Sequence, residues 1–253
     1  MRLQRPDKSE KVKGCLPLGT IDAMRIVRPT GPGPIRQIIT GNKVVVTTNY
    51  PSKKNRSAHP TEAETEGAGT RHDEVMTHIV RSQPQPFRIE AIIDGVLRRS
   101  IPDRLRLMAS GSRAIVEFKR EWKDFERESA QIQSMLAQAA ADELGIGYEK
   151  VTLACLGDAT RRANIDRVQL YRFVPVSLRQ EVTVARLLEK HGQMALGKLA
   201  DAIDADHRNG FAKICALMVR RVVAIDLDGR KIDRDSSVKS VPPLPAVMPS
   251  LNV

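Results

Sequence analysis

Residues 101–119 read Ile-Pro-Asp-Arg-Leu-Arg-Leu-Met-Ala-Ser-Gly-Ser-Arg-Ala-Ile-Val-Glu-Phe-Lys. Residues 104–107 alternate polar and apolar, 109–112 are turn formers, and 114–118 form a second strand-like run, so the stretch reads as a β-hairpin. With Ser110-Gly111-Ser112 as a three-residue loop, Asp103 falls opposite Lys119 and Leu105 opposite Glu117. Opposed residues share a face, so Asp103, Glu117 and Lys119 project from one side, the two carboxylates roughly 7–8 Å apart at the backbone. A two-residue loop would put Asp103 on the other face. Converging carboxylates beside an ammonium suit metal-assisted attack on a phosphodiester. Hard Mg²⁺ takes carboxylate oxygens and keeps waters for the reaction, and lysine can orient the nucleophilic water or pair with the phosphate. The same residues also fit a solvated hairpin carrying surface charge.

The chain has 253 residues, enough for one or two domains. Lys and Arg number 41 against 30 Asp and Glu, and the net charge of +11 favours a polyanionic partner such as nucleic acid. Aromatics are only 4% of residues, which argues against a base-stacking platform. Cys15, Cys155 and Cys215 are isolated, which argues against a zinc ribbon or disulfide framework and fits a reducing cytosol. No apolar run reaches membrane-spanning length, and no signal peptide is expected. There is no P-loop, G-x-G-x-x-G, G-x-S-x-G or H-E-x-x-H, and His72 and His78 read as surface residues.

Residues 1–56 carry twelve Lys/Arg against three Asp/Glu. Residues 1–34 read as a basic, largely flexible arm, either solvated or tracking DNA phosphates. Lys43–Val46 reads as a strand, followed by the basic turn Tyr50-Pro-Ser-Lys-Lys-Asn-Arg56, whose Lys53, Lys54 and Arg56 are candidate DNA contacts. Glu62–Glu66 could open a helix that Gly67 and Gly69 weaken. A hairpin over 89–101 turns at Asp94-Gly95. The periodicity predicts a helix over 122–144 ended by Gly145, a strand over 148–156 and a helix over 164–172. The expected fold is a mixed α/β layer, residues 35–178. Residues 179–238 form a separate unit: helices at 182–191, 196–203 and 209–221, then a strand pair, 222–225 with 231–234. That is winged-helix order, with Arg208, Lys213, Arg220 and Arg221 on a third, DNA-recognising helix, or a small packing or dimerisation unit. The tail 239–253 reads as disordered.

These pieces together resemble the TnsA-type endonuclease subunits of heteromeric transposases. Tyr50-Pro-Ser-Lys-Lys54 comes first, then Ala63-Glu-Thr-Glu66 where that family has S-x-L-E, then Gln85-Pro-Phe87 for its Q-P. Ile101-Pro-Asp103 stands for T-P-D, Glu117-Phe-Lys119 for E-V-K, and residues 164–172 for N-x-x-x-L-x-x-Y-R. The resemblance covers roughly residues 40–238. It implies a PD-(D/E)XK restriction-endonuclease-like nuclease fold with a C-terminal winged helix. Glu66, Asp103 and Glu117 would bind Mg²⁺ and Lys119 would be the catalytic lysine, in a bacterial cytoplasmic protein that hydrolyses one strand at each transposon end. Its implied partners are double-stranded DNA, a DDE-type transposase and an AAA+ ATPase, with no membrane. Glu62, Glu64 and Glu74 compete with Glu66, because Gly67–Asp73 lacks the apolar residues of the family's helix. Arg104, in place of an apolar residue, suits a strand face open to solvent. A stand-alone repair or restriction nuclease and a non-cleaving DNA-binding adaptor are the other readings.

Overall fold

The computed structural model describes residues 19–31, 33–35, 48–61 and 63–251. The expected strand at 43–46, Glu62, Cys15 and most of the basic arm lie outside them. The described residues form a mixed α/β structure with several sheets and six α-helices.

Part of the arm is a strand. Ile21–Val27 (β1) pairs antiparallel with Arg88–Ile93 (β5). Thr48–Ser52 (β2) and Ser57–Thr61 (β3) form a hairpin whose turn is residues 53–56. Glu64–Val75 (α1) follows, a full helix despite Gly67 and Gly69. A four-stranded sheet comes next, in the order Ile79–Pro84 (β4), Arg104–Met108 (β7), Arg113–Lys119 (β8) and Gly147–Thr152 (β9), with β8 and β9 parallel. Val96–Ser100 (β6) closes a hairpin with β5 at Asp94-Gly95, both with positive φ as that two-residue turn requires.

Two helices cover opposite faces of the four-stranded sheet. Leu105 and Ile115 pack under Glu128–Leu144 (α2), against Leu136, Ala137 and Ala140 and the apolar side of β5. Val116 and Phe118 face α1, where Ala68 packs against them. Gly69 is what lets α1 sit so low: a Cβ there would lie 2.4 Å from the Phe118 ring.

The third core joins both halves of the chain. Ala159–Gln169 (α3) leads to Leu178–His191 (α4), Gln193–Ala195 (β10), Leu196–Ile203 (α5), His207–Val219 (α6), Val223–Ile225 (β11) and Ser237–Ser240 (β12). Ser177 and Gln180 form a capping box at the start of α4, and Asp206 caps α6. The small sheet runs β10-β12-β11, so the strand opposite β11 is 237–240 rather than the expected 231–234. Val184, Leu188, Ile214 and Leu217 share one apolar cluster with Val75, Met76, Ile165 and Val168, so this unit is not separately cored. The tail departs from expectation as well. Met248 and Leu251 return to the α2 core, where burying their apolar side chains docks a segment whose proline content suggested disorder.

Candidate active site

The central hairpin has a three-residue loop, but placed one residue earlier than expected. Met108 N–H donates to Ser112 O at 2.8 Å and Gly111 N–H to Met108 O at 2.9 Å, and Gly111 has φ +88°. In such loops a type I turn precedes the left-handed residue, so the glycine must come last, making the loop Ala109-Ser110-Gly111. Every pairing moves by two, which keeps the faces: Arg104 pairs with Val116 and Leu105 with Ile115. One step beyond, Asp103 lies beside Glu117 instead of Lys119. Its Oδ2 accepts the Phe118 N–H at 2.7 Å, and its carbonyl accepts the Gln85 N–H at 3.0 Å.

The alternation puts Asp103, Glu117 and Lys119 on the α2 side of the sheet. Glu117 is 3% exposed. Burial and then the neighbouring Asp103 charge push its carboxyl well above the usual range. Burial raises Asp103 too, opposed by the Phe118 N–H and by Lys119. Lys119 stands over both, its Nζ 3.2 Å from Gln133 Oε1 on α2 and 6.0 Å from the Phe125 ring centre. Tyr148 joins from β9, its hydroxyl pushed up to about 12 by burial and, to a lesser degree, by the two carboxylates. Tyr148 and Gln133 were not singled out from the sequence. Register could have found Tyr148, since β9 pairs it with Ile115, two residues from Glu117.

Glu66 is elsewhere. It sits in the first turn of α1, buried, and its charge bears on Arg104 on the opposite face of the sheet. Glu64 lies by Arg71 and Asp166, and Glu74 accepts the Ser52 hydroxyl and the Lys53 and Lys54 N–H groups. Among the described residues no three His, Cys, Asp or Glu side chains group to hold a metal ion. The pair itself fits a divalent cation: Glu117 Oε1 is buried without a hydrogen-bond partner, and two adjacent carboxyl groups offer, once deprotonated, the charge and hard oxygens that Mg²⁺ takes.

Arg104 does not face solvent. It is 0% exposed and donates to Thr70 Oγ1 and, at 3.2 Å, Ser82 Oγ, with His59 Nδ1 3.5 Å away. Beside it Arg106 holds Asp73 through two nitrogens, at 2.7 and 3.0 Å, and Glu149 at 3.1 Å. The layer between α1 and the sheet is thus buried and polar, where a strand face open to solvent was expected. His72 belongs to it, buried with Nδ1 3.3 Å from Asp73 Oδ1, while His78 is exposed.

Several expected DNA contacts have structural jobs. Lys54 Nζ donates to the carbonyls of Asp73, Met76 and Ile79 at 2.7–2.8 Å, which caps the end of α1 and removes Lys54 from the surface set. Lys53 and Arg56 are exposed. Lys213 pairs with Asp204 at 2.6 Å, Arg220 holds the carbonyls of Val174 and Val176, and Arg221 reaches the Thr77 carbonyl across the two halves. Only Arg208 of those four is exposed. The α3 end of the chain also packs on α6: Tyr171 packs on Phe211, and the Arg167 guanidinium lies 4.5 Å from the Phe211 ring centre. The loop before β12 is tied to α3 as well, with Asn164 Nδ2 donating to Leu227 O at 2.9 Å and Arg230 O at 2.8 Å. The motifs at 50–54 and 164–172 meet directly, Tyr50 Oη donating to Gln169 Oε1 at 3.1 Å under the Arg172 guanidinium.

No protein-family model matches this chain, and no curated protein matches it in sequence.

Proposed function

We propose that this chain is a Mg²⁺-dependent DNA endonuclease of the PD-(D/E)XK kind with a C-terminal winged helix, working as the strand-cleaving subunit of a heteromeric transposase. One observation carries the reading: half-buried Asp103 and buried Glu117 lie side by side with raised proton affinity, beside the Lys119 ammonium. Asp103 and Glu117 would hold Mg²⁺, which when bound lowers the pKa of a bound water and neutralises charge on the phosphorane. Lys119, braced by Gln133, is placed to orient the attacking water or pair with the scissile phosphate. Phe118 N–H fixes the Asp103 carboxylate, and α2 shields the pair from bulk water. The order helix, strand, two helices, two strands after residue 178 supports the winged-helix part. The transposase and ATPase partners rest on the motif resemblance alone. No described helix is long and apolar enough to cross a membrane.

One observation favours a second reading, a DNA-binding adaptor that no longer cuts: no described acidic residue of 63–74 joins the pair. A plasmid-nicking assay with Mg²⁺, with and without a partner transposase, separates the two. A nuclease nicks, and Asp103→Ala or Glu117→Ala abolishes nicking in folded protein. Full nicking by either variant refutes the assignment, and binding without nicking under every condition leaves the adaptor.

A further inference from the structure

A cleft of about 890 Å³ runs along the outer side of β4, between residues 28–31, 33 and 34 and the β2–β3 turn. Arg28, Arg56 and Arg81 line it, and neither Asp nor Glu does among the described residues. Arg56 and Arg81 are exposed, and no described carboxylate pairs with either. Gln83 and Leu105 form part of the floor, and they are register partners on β4 and β7. Leu105 points to the same face as Asp103 and is two residues away, so the cleft leads toward the carboxylate pair over roughly 7 Å of strand. No Phe, Tyr or Trp lines it. A groove where the Arg56 and Arg81 guanidinium groups face no described carboxylate, and where no Phe, Tyr or Trp offers a stacking surface, recognises the sugar–phosphate backbone and leaves the bases unread.

We infer that this cleft binds the phosphates of one nucleic-acid strand, independent of sequence, and leads that strand to Asp103 and Glu117. Guanidinium forks suit phosphate oxygens. The run from Arg81 toward Asp103 sets the strand's direction of approach. The strand's destination rests on the nuclease reading; the binding itself does not.

The test is binding of a labelled single-stranded oligonucleotide of mixed sequence by the full chain, in EDTA, across a salt series. The variant Arg56→Asn with Arg81→Gln keeps the fold, since both side chains are exposed and Asn tolerates the φ of +54° at position 56. A control variant, Arg98→Gln with Lys190→Gln, removes equal charge from exposed positions elsewhere. The slope of log affinity against log salt should fall by about 1.4 in the cleft variant, at about 0.7 per phosphate contact, and stay unchanged in the control. An unchanged slope in the cleft variant, or an equal fall in both, overturns the inference. So does tripolyphosphate binding that depends on these arginines while oligonucleotide binding does not. Because EDTA removes metal, a failed nuclease reading leaves this result standing, and the reverse also holds.

Discussion

Replacing Gly69 with alanine should destabilise the protein, although glycine to alanine within a helix ordinarily stabilises by up to ~1 kcal/mol. The added Cβ would lie 2.4, 2.6 and 3.0 Å from three carbons of the Phe118 ring. Carbon–carbon contacts are comfortable at about 3.5–4.0 Å, so the helix or the ring must give by more than ~1 Å. Phe118 cannot swing away. It is 6% exposed, packed with Val116, Val151 and Leu156, and capped by the Arg106 guanidinium 5.5 Å from its centre. Overpacking of this kind costs about 1–3 kcal/mol, and at so short an approach the upper end applies, so the net loss is about 2 kcal/mol. Gly67 is the internal control: its added Cβ meets Arg71 Nη1 at 3.4 Å and Thr61 Oγ1 at 3.9 Å, ordinary contact, so Gly67→Ala should stabilise. Thermal unfolding should separate the two variants by about 6–12 °C, at ~2–4 °C per kcal/mol for a chain of this size. If Gly69→Ala melts at or above the wild type, α1 does not lie on Phe118, and the placement of Glu66 opposite the carboxylate pair falls with it.

Lys54→Met should cost about 1–3 kcal/mol in urea unfolding, because three carbonyls lose their donor, while leaving the salt slope of DNA binding unchanged; a changed slope would return Lys54 to the DNA-contacting set. Residues 1–178 expressed alone should unfold with low cooperativity, since Val75, Ile165 and Val168 pack against residues beyond the cut; a sharp transition at the wild-type temperature would show two independent cores. In metal-free protein, Glu117 binds its proton more tightly when folded than when unfolded, so its contribution to stability is full below the unfolded value of 4.5 and is lost as pH rises through the higher folded pKa. Glu117→Gln should flatten that decline in a pH series of unfolding free energies, and an unaltered pH profile would place the titration elsewhere.

The central hairpin was legible because alternation, a glycine-bearing turn and flanking apolar runs agree on one local geometry. Its register was off by one loop position, since only the requirement that Gly111 take the left-handed place fixes the loop. The face shared by Asp103, Glu117 and Lys119 survived that shift because pairing moved by two. Glu66 was misplaced for a different reason: which face α1 covers depends on Gly69 meeting Phe118, a contact far apart in sequence. Lys54, Arg220 and Arg221 look like surface charge in a string of residues, yet each satisfies backbone carbonyls at a distant turn. Composition cannot tell such caps from phosphate contacts. The tail misled similarly, its prolines outweighing Met248 and Leu251, whose docking site exists only once α2 is in place.

The claim that Asp103 and Glu117 form a divalent-metal site is met most directly by titrating Mn²⁺ into the full chain and counting bound ions by calorimetry. A site should bind in the wild type, weaken as pH falls and protons compete for Glu117, and vanish in Asp103→Asn and in Glu117→Gln while circular dichroism stays unchanged. Equal Mn²⁺ binding in wild type and both folded variants would contradict the account.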